Sequence, residues 1–119
     1  MAHGGFLRQH SDDPQLASHI MHDYTKAGLD PQTRGMLDFA TKLTREPASM
    51  SEEDVKELGG LGLSDEQILS VVLITCVFNF MTRLADGLGV EVPEGRQEAH
   101  ERWLTGPVLQ QEWLMTAKS

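Results

Sequence analysis

Residues 64–90 read SDEQILSVVLITCVFNFMTRLADGLGV, and this stretch decides the fold. It opens with a capping box, because the Ser64 side chain can accept from the Gln67 backbone N–H while the Gln67 side chain accepts from the Ser64 backbone N–H. It stops at Gly87, a residue that commonly follows the last turn of a helix. The spacing predicts one long helix that runs to about Asp86.

Apolar residues cover every side of this predicted helix. At about 1.5 to 3 kcal/mol for each large side chain fully buried, leaving one side in water would forfeit several kcal/mol. We therefore predict a central helix that is surrounded by others. Five short neighbouring helices are too few to cover it completely. We therefore expect a homo-oligomer, a dimer or larger, with this helix or the adjacent face around Phe39 at the interface. The apolar residues are Ile68, Leu69, Val71, Val72, Leu73, Ile74, Cys76, Val77, Phe78, Phe80 and Met81.

The apolar part of the predicted helix is too short to indicate a membrane span. Ser70, Thr75 and Asn79 interrupt residues 68–81, which fall short of the roughly 20 apolar residues that a bilayer requires. The first residues, MAHGGF, have neither the basic nor the apolar region of a secretory signal. We expect a core helix, no membrane partner and a cytoplasmic protein.

Composition narrows the class of partner and of chemistry. The 119 residues predict a single domain, 1–119. With 18 acidic and 10 basic residues, the net charge of -8 repels phosphate backbones, so we predict no nucleic-acid partner. The single cysteine cannot form an internal disulfide. Nothing in the composition calls for a cofactor, and we predict none.

The rest of the chain predicts short helices. Asp30 before Pro31 is an N-cap residue followed by proline at the first helical position, and Pro47 prevents much continuation beyond Arg45. Similar start and stop signals predict further helices at 14–27, 52–58, 96–104 and 107–117. The predicted fold class is all-α, a helical bundle of about six helices around the central apolar helix.

Three segments, taken in order, resemble the AhpD-like families of the carboxymuconolactone decarboxylase superfamily, in their peroxidase-related branch. The first is HGGFLR at 3–8, which is similar to the His-Gly and Leu-Arg that follow the family's Cys-x-x-Cys motif. The second is LDFATKLTREP at 37–47. The third is LSDEQI at 63–68 with FNFMTRLADGLGV at 78–90, which resembles the pattern Phe-Asn-Phe-x-x-Arg-x-Ala-Asp-x-Leu-Gly-Val.

This resemblance implies an AhpD-like helical fold and thiol-dependent reduction of an alkyl hydroperoxide or a protein disulfide by the Cys-x-x-Cys pair. The motif would fall just upstream of Met1, so the expectation is the C-terminal portion of the family fold without its N-terminal part. We expect Met1 to be an internal methionine of a longer protein, with a natural remnant as the alternative. His3 matches the family histidine that follows the second cysteine, which implies a catalytic role as a proton relay.

Two functional hypotheses stay open at this stage. By resemblance the protein is a peroxidase-related reductase, whose full-length form would take a peroxide or a protein disulfide, while this chain without the cysteine pair would have little or no activity. The alternative is a non-catalytic helical module for oligomerisation or partner binding.

Cys76 is predicted to be a buried structural cysteine. It is flanked by Ile74, Val77 and Phe78 and has no basic residue within a helical turn on either side. Nothing in that setting stabilises a thiolate, the reactive form of cysteine.

A polar stripe on the central helix is the candidate site. Asn79, Arg83 and Asp86 follow at i, i+4 and i+7 and therefore share one side of the helix. A structural interpretation pairs Arg83 with Asp86 or a neighbouring helix and lets Asn79 cap a backbone group. The functional interpretation is that the three line the pocket where the family's thiols would sit.

A third hypothesis, metal binding, rests on two histidines. His19 and His22 are three residues apart on one helix face, a spacing that can hold zinc or nickel, with Asp23 and His10 as conceivable further ligands. The alternative is a pair of half-exposed surface histidines, and our prediction is that no metal site exists.

Overall fold

The computed structural model describes residues 7, 10–13 and 15–91. This part contains the helices α1 (Leu16–Asp23), α2 (Pro31–Arg45), α3 (Glu52–Gly60) and α4 (Asp65–Gly87), with 3₁₀ helices at Tyr24–Lys26 and Pro47–Ser49. No strand occurs in these ranges. The predicted all-α fold class is confirmed. The helices predicted at 96–104 and 107–117 lie outside the described residues.

The chain divides into two compact units. One contains the described residues up to Gly28, and the other spans Leu29–Val90 with α2, α3 and α4. The prediction of a single domain over 1–119 stays a prediction.

In the first unit, α1 begins later than the sequence indicated. The Asp13 carboxylate accepts from the Gln15 backbone N–H at 2.8 Å, so it caps a turn before the helix and Gln15 becomes the N-cap of α1. Gly28 ends this segment with a φ of 67°, a left-handed conformation that glycine adopts without strain. The predicted stop at Gly28 is therefore confirmed, although α1 itself is shorter.

In the second unit, α2 has the bounds that the sequence predicted. The Asp30 side chain accepts from the Thr33 backbone N–H at 3.1 Å, and Pro31 takes the first helical position. The helix ends at Arg45, and Pro47 follows after one residue. Side-chain capping at one end and proline at the other thus set the length of α2.

The capping box of α4 forms as predicted. The Ser64 hydroxyl accepts from the Gln67 backbone N–H at 3.2 Å, and the Gln67 side-chain oxygen accepts from the Ser64 backbone N–H at 2.9 Å. α4 ends at Gly87, one residue beyond the predicted end at Asp86. Local signals alone therefore fix both ends of the longest helix.

A small apolar core joins α2, α3 and α4. Its buried residues are Phe39, Leu58, Leu63 and Ile68, with Met36, Leu43, Met50, Val71 and Val72 packed against them. Phe39 is buried inside its own chain. The homo-oligomer with α4 or the face around Phe39 at its interface stays a prediction.

Among the described residues, one side of α4 packs in the core and the other side is exposed. Ile68 is the buried residue of this helix. Eight large apolar side chains of α4 are between 43% and 67% exposed, and they are Leu69, Leu73, Ile74, Val77, Phe78, Phe80, Met81 and Leu84. How completely the neighbouring helices cover α4 stays a prediction, because two of the five lie outside the described residues.

Among the described ranges, α4 is also long and apolar enough to cross a membrane, with a mean hydropathy of 1.9. Length and composition are only weak evidence for a membrane span, because core helices of soluble proteins have the same properties.

Candidate functional site

Asn79 connects the polar stripe of α4 to α2. Its side-chain amide and the Thr44 hydroxyl lie 3.2 Å apart, within hydrogen-bond distance. The Thr44 hydroxyl also donates to the Ala40 carbonyl at 2.7 Å. Asn79 therefore bonds a side-chain hydroxyl of the neighbouring helix, where the sequence had indicated a backbone group.

Arg83 and Asp86 stay on the exposed surface of α4. The Arg83 guanidinium donates to the Asn79 carbonyl at 3.4 Å, a contact within its own helix. Among the described residues, no salt bridge joins Arg83 to Asp86 or to another helix, so the structural interpretation of Arg83 is wrong for this part of the chain. That the three residues line a pocket stays a prediction, and His3 lies outside the described residues.

Cys76 is exposed, and the prediction of a buried cysteine is wrong. The physical reason lies in its neighbours on the helix, because Leu73 and Phe80, one turn before and after, are exposed as well. An apolar sequence shows that α4 needs cover on all sides, whereas the tertiary structure supplies cover on one side. Cys76 lies on an uncovered side.

The histidines of α1 form no metal site with the other described residues. His19 is exposed and His22 is half-buried. Within the described ranges, no group of three or more His, Cys, Asp or Glu side chains is placed to hold a metal ion. The metal hypothesis therefore finds no support in this part of the structure.

A cleft between α2 and α3 was not anticipated. Its volume is about 370 Å³, and it is lined by Pro31, Arg34, Gly35, Asp38, Phe39, Lys42, Asp54, Glu57, Leu58 and Leu61. A Cβ atom at Gly35 would overlap the Leu61 side chain, so glycine permits the close approach of these two residues. The sequence signal for this close approach was Gly35 itself, a glycine in the interior of a predicted helix.

The cations of this cleft are already paired. Lys42 Nζ lies 2.7 Å from Asp54 Oδ1, and Arg34 Nε lies 3.1 Å from Asp38 Oδ1. The hydrogen bond from Lys42, followed by the one from the Ser51 backbone N–H, holds the pKa of the Asp54 carboxyl below its usual range. Cys76 is not among the lining residues. The cleft therefore offers neither an uncompensated positive charge nor a thiol.

The Lys42–Asp54 pair predicts a pH dependence of stability. Because the pKa of Asp54 is lowered on folding, its contribution is present above its ordinary pKa of about 3.8 and is lost as the pH falls below it. We expect Asp54→Asn to flatten the decline of unfolding free energy between about pH 5 and pH 2, measured by urea denaturation. Lys42→Met should give only part of this flattening, because the Ser51 backbone N–H still donates to the Asp54 carboxylate, and the double variant should match Asp54→Asn. An unchanged acid slope in Asp54→Asn would contradict the assignment.

Two solved structures resemble this chain over most of its length. An uncharacterised peroxidase-related protein from Silicibacter sp. TM1040 is 37% identical with a TM-score of 0.71, over 79% of this chain and 49% of that one. The second is an uncharacterised peroxidase-related protein from Ralstonia eutropha JMP134, described as an alkylhydroperoxidase AhpD core. It is 31% identical with a TM-score of 0.69. That alignment covers 89% of this chain and 53% of the other.

The chain spans about half the length of these two proteins. No family model matches it. No curated protein matches it either.

Proposed function

Because the chain belongs to the AhpD-like family of peroxidase-related proteins, we propose that it is the helical scaffold of a thiol-dependent hydroperoxide or disulfide reductase and does not catalyse the reaction by itself. The number of cysteines supports the proposal that the chain does not catalyse the reaction by itself. The 119 residues contain one cysteine, Cys76, while the chemistry implied for the family needs two neighbouring thiols.

The need for two thiols follows from the electron balance. A thiolate attacks one peroxide oxygen, the O–O bond breaks, the alcohol leaves and the cysteine becomes a sulfenic acid. The second thiol condenses with the sulfenic acid, water leaves and a disulfide forms, which an external dithiol then reduces. Two electrons pass from two sulfur atoms to the peroxide. A single thiol stops at the sulfenic acid unless an external thiol resolves it.

The surroundings of Cys76 argue against a single-cysteine variant of this reaction. Side chains one helical turn away include Val72, Leu73, Asn79 and Phe80, none of which carries a positive charge. Reactive cysteines depend on a nearby cation or a helix N-terminus to favour the thiolate. Cys76 lies in the middle of α4 and has neither.

A hydroperoxide-consumption assay tests this proposal. We expect the purified 119-residue chain, supplied with a dithiol reductant, to consume tert-butyl hydroperoxide no faster than its Cys76→Ser variant. Metal-free buffer and the variant together control for adventitious catalysis. Turnover above background that disappears in Cys76→Ser would overturn the proposal.

The scaffold role has its own test. We expect turnover when an N-terminal extension places a Cys-x-x-Cys so that its second cysteine stands four residues before His3, and we expect a matched Ser-x-x-Ser extension to stay at background. His3→Ala in the active form should lower the rate without loss of helix content by circular dichroism, because the resemblance assigns His3 to proton relay. Failure of the extended chain to exceed the serine control would count against the reductase.

A second candidate function rests on a different observation. The exposed apolar side of α4 favours a non-catalytic module whose role is oligomerisation. The two candidates separate in the extended chain, because an oligomerisation module would assemble normally and still give no turnover.

A further inference from the structure

The cleft between α2 and α3 combines a buried apolar floor with charged side chains around it. Phe39 of α2 and Leu58 of α3 are both buried, and both line the cleft. Its volume of about 370 Å³ holds roughly a dozen non-hydrogen atoms, if each takes about 30 Å³ as a water molecule does in the liquid. Small-molecule sites in proteins are clefts of this kind, mostly apolar with a few polar groups at fixed positions. The cleft therefore fits a compact organic molecule.

The charged side chains around the cleft do not balance. Three carboxylates and two cations line it, and they are Asp38, Asp54, Glu57, Arg34 and Lys42. Lys42 is paired with Asp54 at 2.7 Å, and Arg34 is paired with Asp38 at 3.1 Å. Glu57 is exposed and forms no salt bridge with another described residue. The cleft therefore carries one carboxylate whose charge neither of its two cations offsets.

We propose that this cleft binds a small organic cation, a primary ammonium on a compact apolar body. The apolar body lies against Phe39 and Leu58, and the ammonium donates hydrogen bonds to the Glu57 carboxylate. An ammonium has only donors and an ionised carboxylate has only acceptors, so the two groups are complementary. The net charge of -8 favours the same class of ligand, because the field of the whole protein attracts cations and repels anions. Binding there involves neither Cys76 nor α4 and is independent of the proposed thiol chemistry.

Titration of the isotopically labelled 119-residue chain with 2-phenylethylammonium at neutral pH and low salt, followed by amide NMR shifts, tests the location of the site. We expect saturable binding with a dissociation constant on the order of 1 mM, since a ligand of this size makes few contacts. The shifts should concentrate on the facing sides of α2 and α3, at residues such as Gly35, Phe39 and Glu57. Shifts that follow α4 instead would overturn the cleft as the site.

Glu57→Gln tests the role of the carboxylate. We expect it to raise the dissociation constant of the ammonium about twofold to fivefold, the range for an ion pair that is open to solvent. The matched control is Glu53→Gln, because Glu53 is exposed on the same helix, pairs with Lys56 and is not among the lining residues. This control should bind the ammonium as the wild type does. Circular dichroism of both variants reports whether they fold, and equal affinities in Glu57→Gln and the wild type would contradict the assignment.

The charge of the ligand is tested on the unaltered chain. 2-Phenylethanol has nearly the same shape without the positive charge, and 3-phenylpropionate carries the opposite charge. We expect the alcohol to bind more weakly than the ammonium and the carboxylate not to bind. Added salt should weaken binding of the ammonium and leave that of the alcohol unchanged, because salt screens an exposed ion pair. Equal affinity for the ammonium and the alcohol, or no saturable binding of the ammonium, would overturn the proposal.

Discussion

Replacement of Phe39 by alanine is expected to lower the free energy of unfolding by about 3 to 5 kcal/mol. Phe39 is 7% exposed and lies in the core between α2, α3 and α4. Its removal loses the transfer free energy of the ring and leaves a cavity that the surrounding helices fill only in part. Since small domains are stable by about 5 to 15 kcal/mol, this one change would consume much of the total. Urea denaturation followed by circular dichroism measures it.

Phe80→Ala is the matched control for this prediction. Phe80 is the same residue type on α4 but is 67% exposed within its own chain. We expect the loss in Phe80→Ala to be well under half as large, because the Phe80 ring is already largely in contact with water in the folded chain. If Phe39→Ala does not fold at all, Phe39→Leu gives the same comparison at a smaller cost. Equal losses of unfolding free energy in Phe39→Ala and Phe80→Ala would refute this distinction.

Leu58→Ala is expected to cost about 2 to 5 kcal/mol. Leu58 is 2% exposed and is the most completely buried large side chain of the described core. It lies on α3, which contributes few other core residues, so its side chain is the main apolar contact that holds α3 against α2 and α4. Thermal and urea unfolding should both show the loss.

Leu61→Ala is the control variant for Leu58→Ala, because it also removes a leucine side chain near the end of α3. Leu61 lies in the cleft wall beside Gly35 and is partly exposed, so its truncation should cost well under half as much. The comparison also reports on the cleft, because Leu61→Ala widens it while the buried core stays intact. A larger loss in Leu61→Ala than in Leu58→Ala would show that the core is centred elsewhere.

The segment that resembles the family pattern and the exposed apolar side chains lie on the same helix. α4 carries both the Phe-Asn-Phe segment that resembles the family pattern and the uncovered apolar side. Asn79 bonds toward α2, whereas Val77 and Phe80, its neighbours along the chain, are exposed. One side of α4 therefore packs in the internal core, and the other side is exposed among the described residues.

The sequence by itself determined the helices and the family. Capping side chains and prolines act within a few residues, so the bounds of α2 and the start of α4 follow from Asp30, Pro47 and Ser64 without knowledge of the tertiary structure. The predicted end of α4 is one residue short, because Gly87 is still helical and Gly89 is the glycine with a positive φ. The motif order in 37–47 and 63–90 is likewise a property of the chain, and the similarity of the two solved structures confirmed the family it indicated.

Only the tertiary structure decided which sides of α4 are covered. An all-round apolar helix carries no directional signal, so the sequence could not separate the buried Ile68 from the exposed Cys76 and Phe80. Phe39 lies on the apolar face of α2, and the sequence does not show which helices that face meets, so it was expected at an interface and is found in the core. Burial is a relation between residues that are distant in the chain, and it is fixed where helices meet, whereas capping and turn chemistry are fixed where the residues are neighbours.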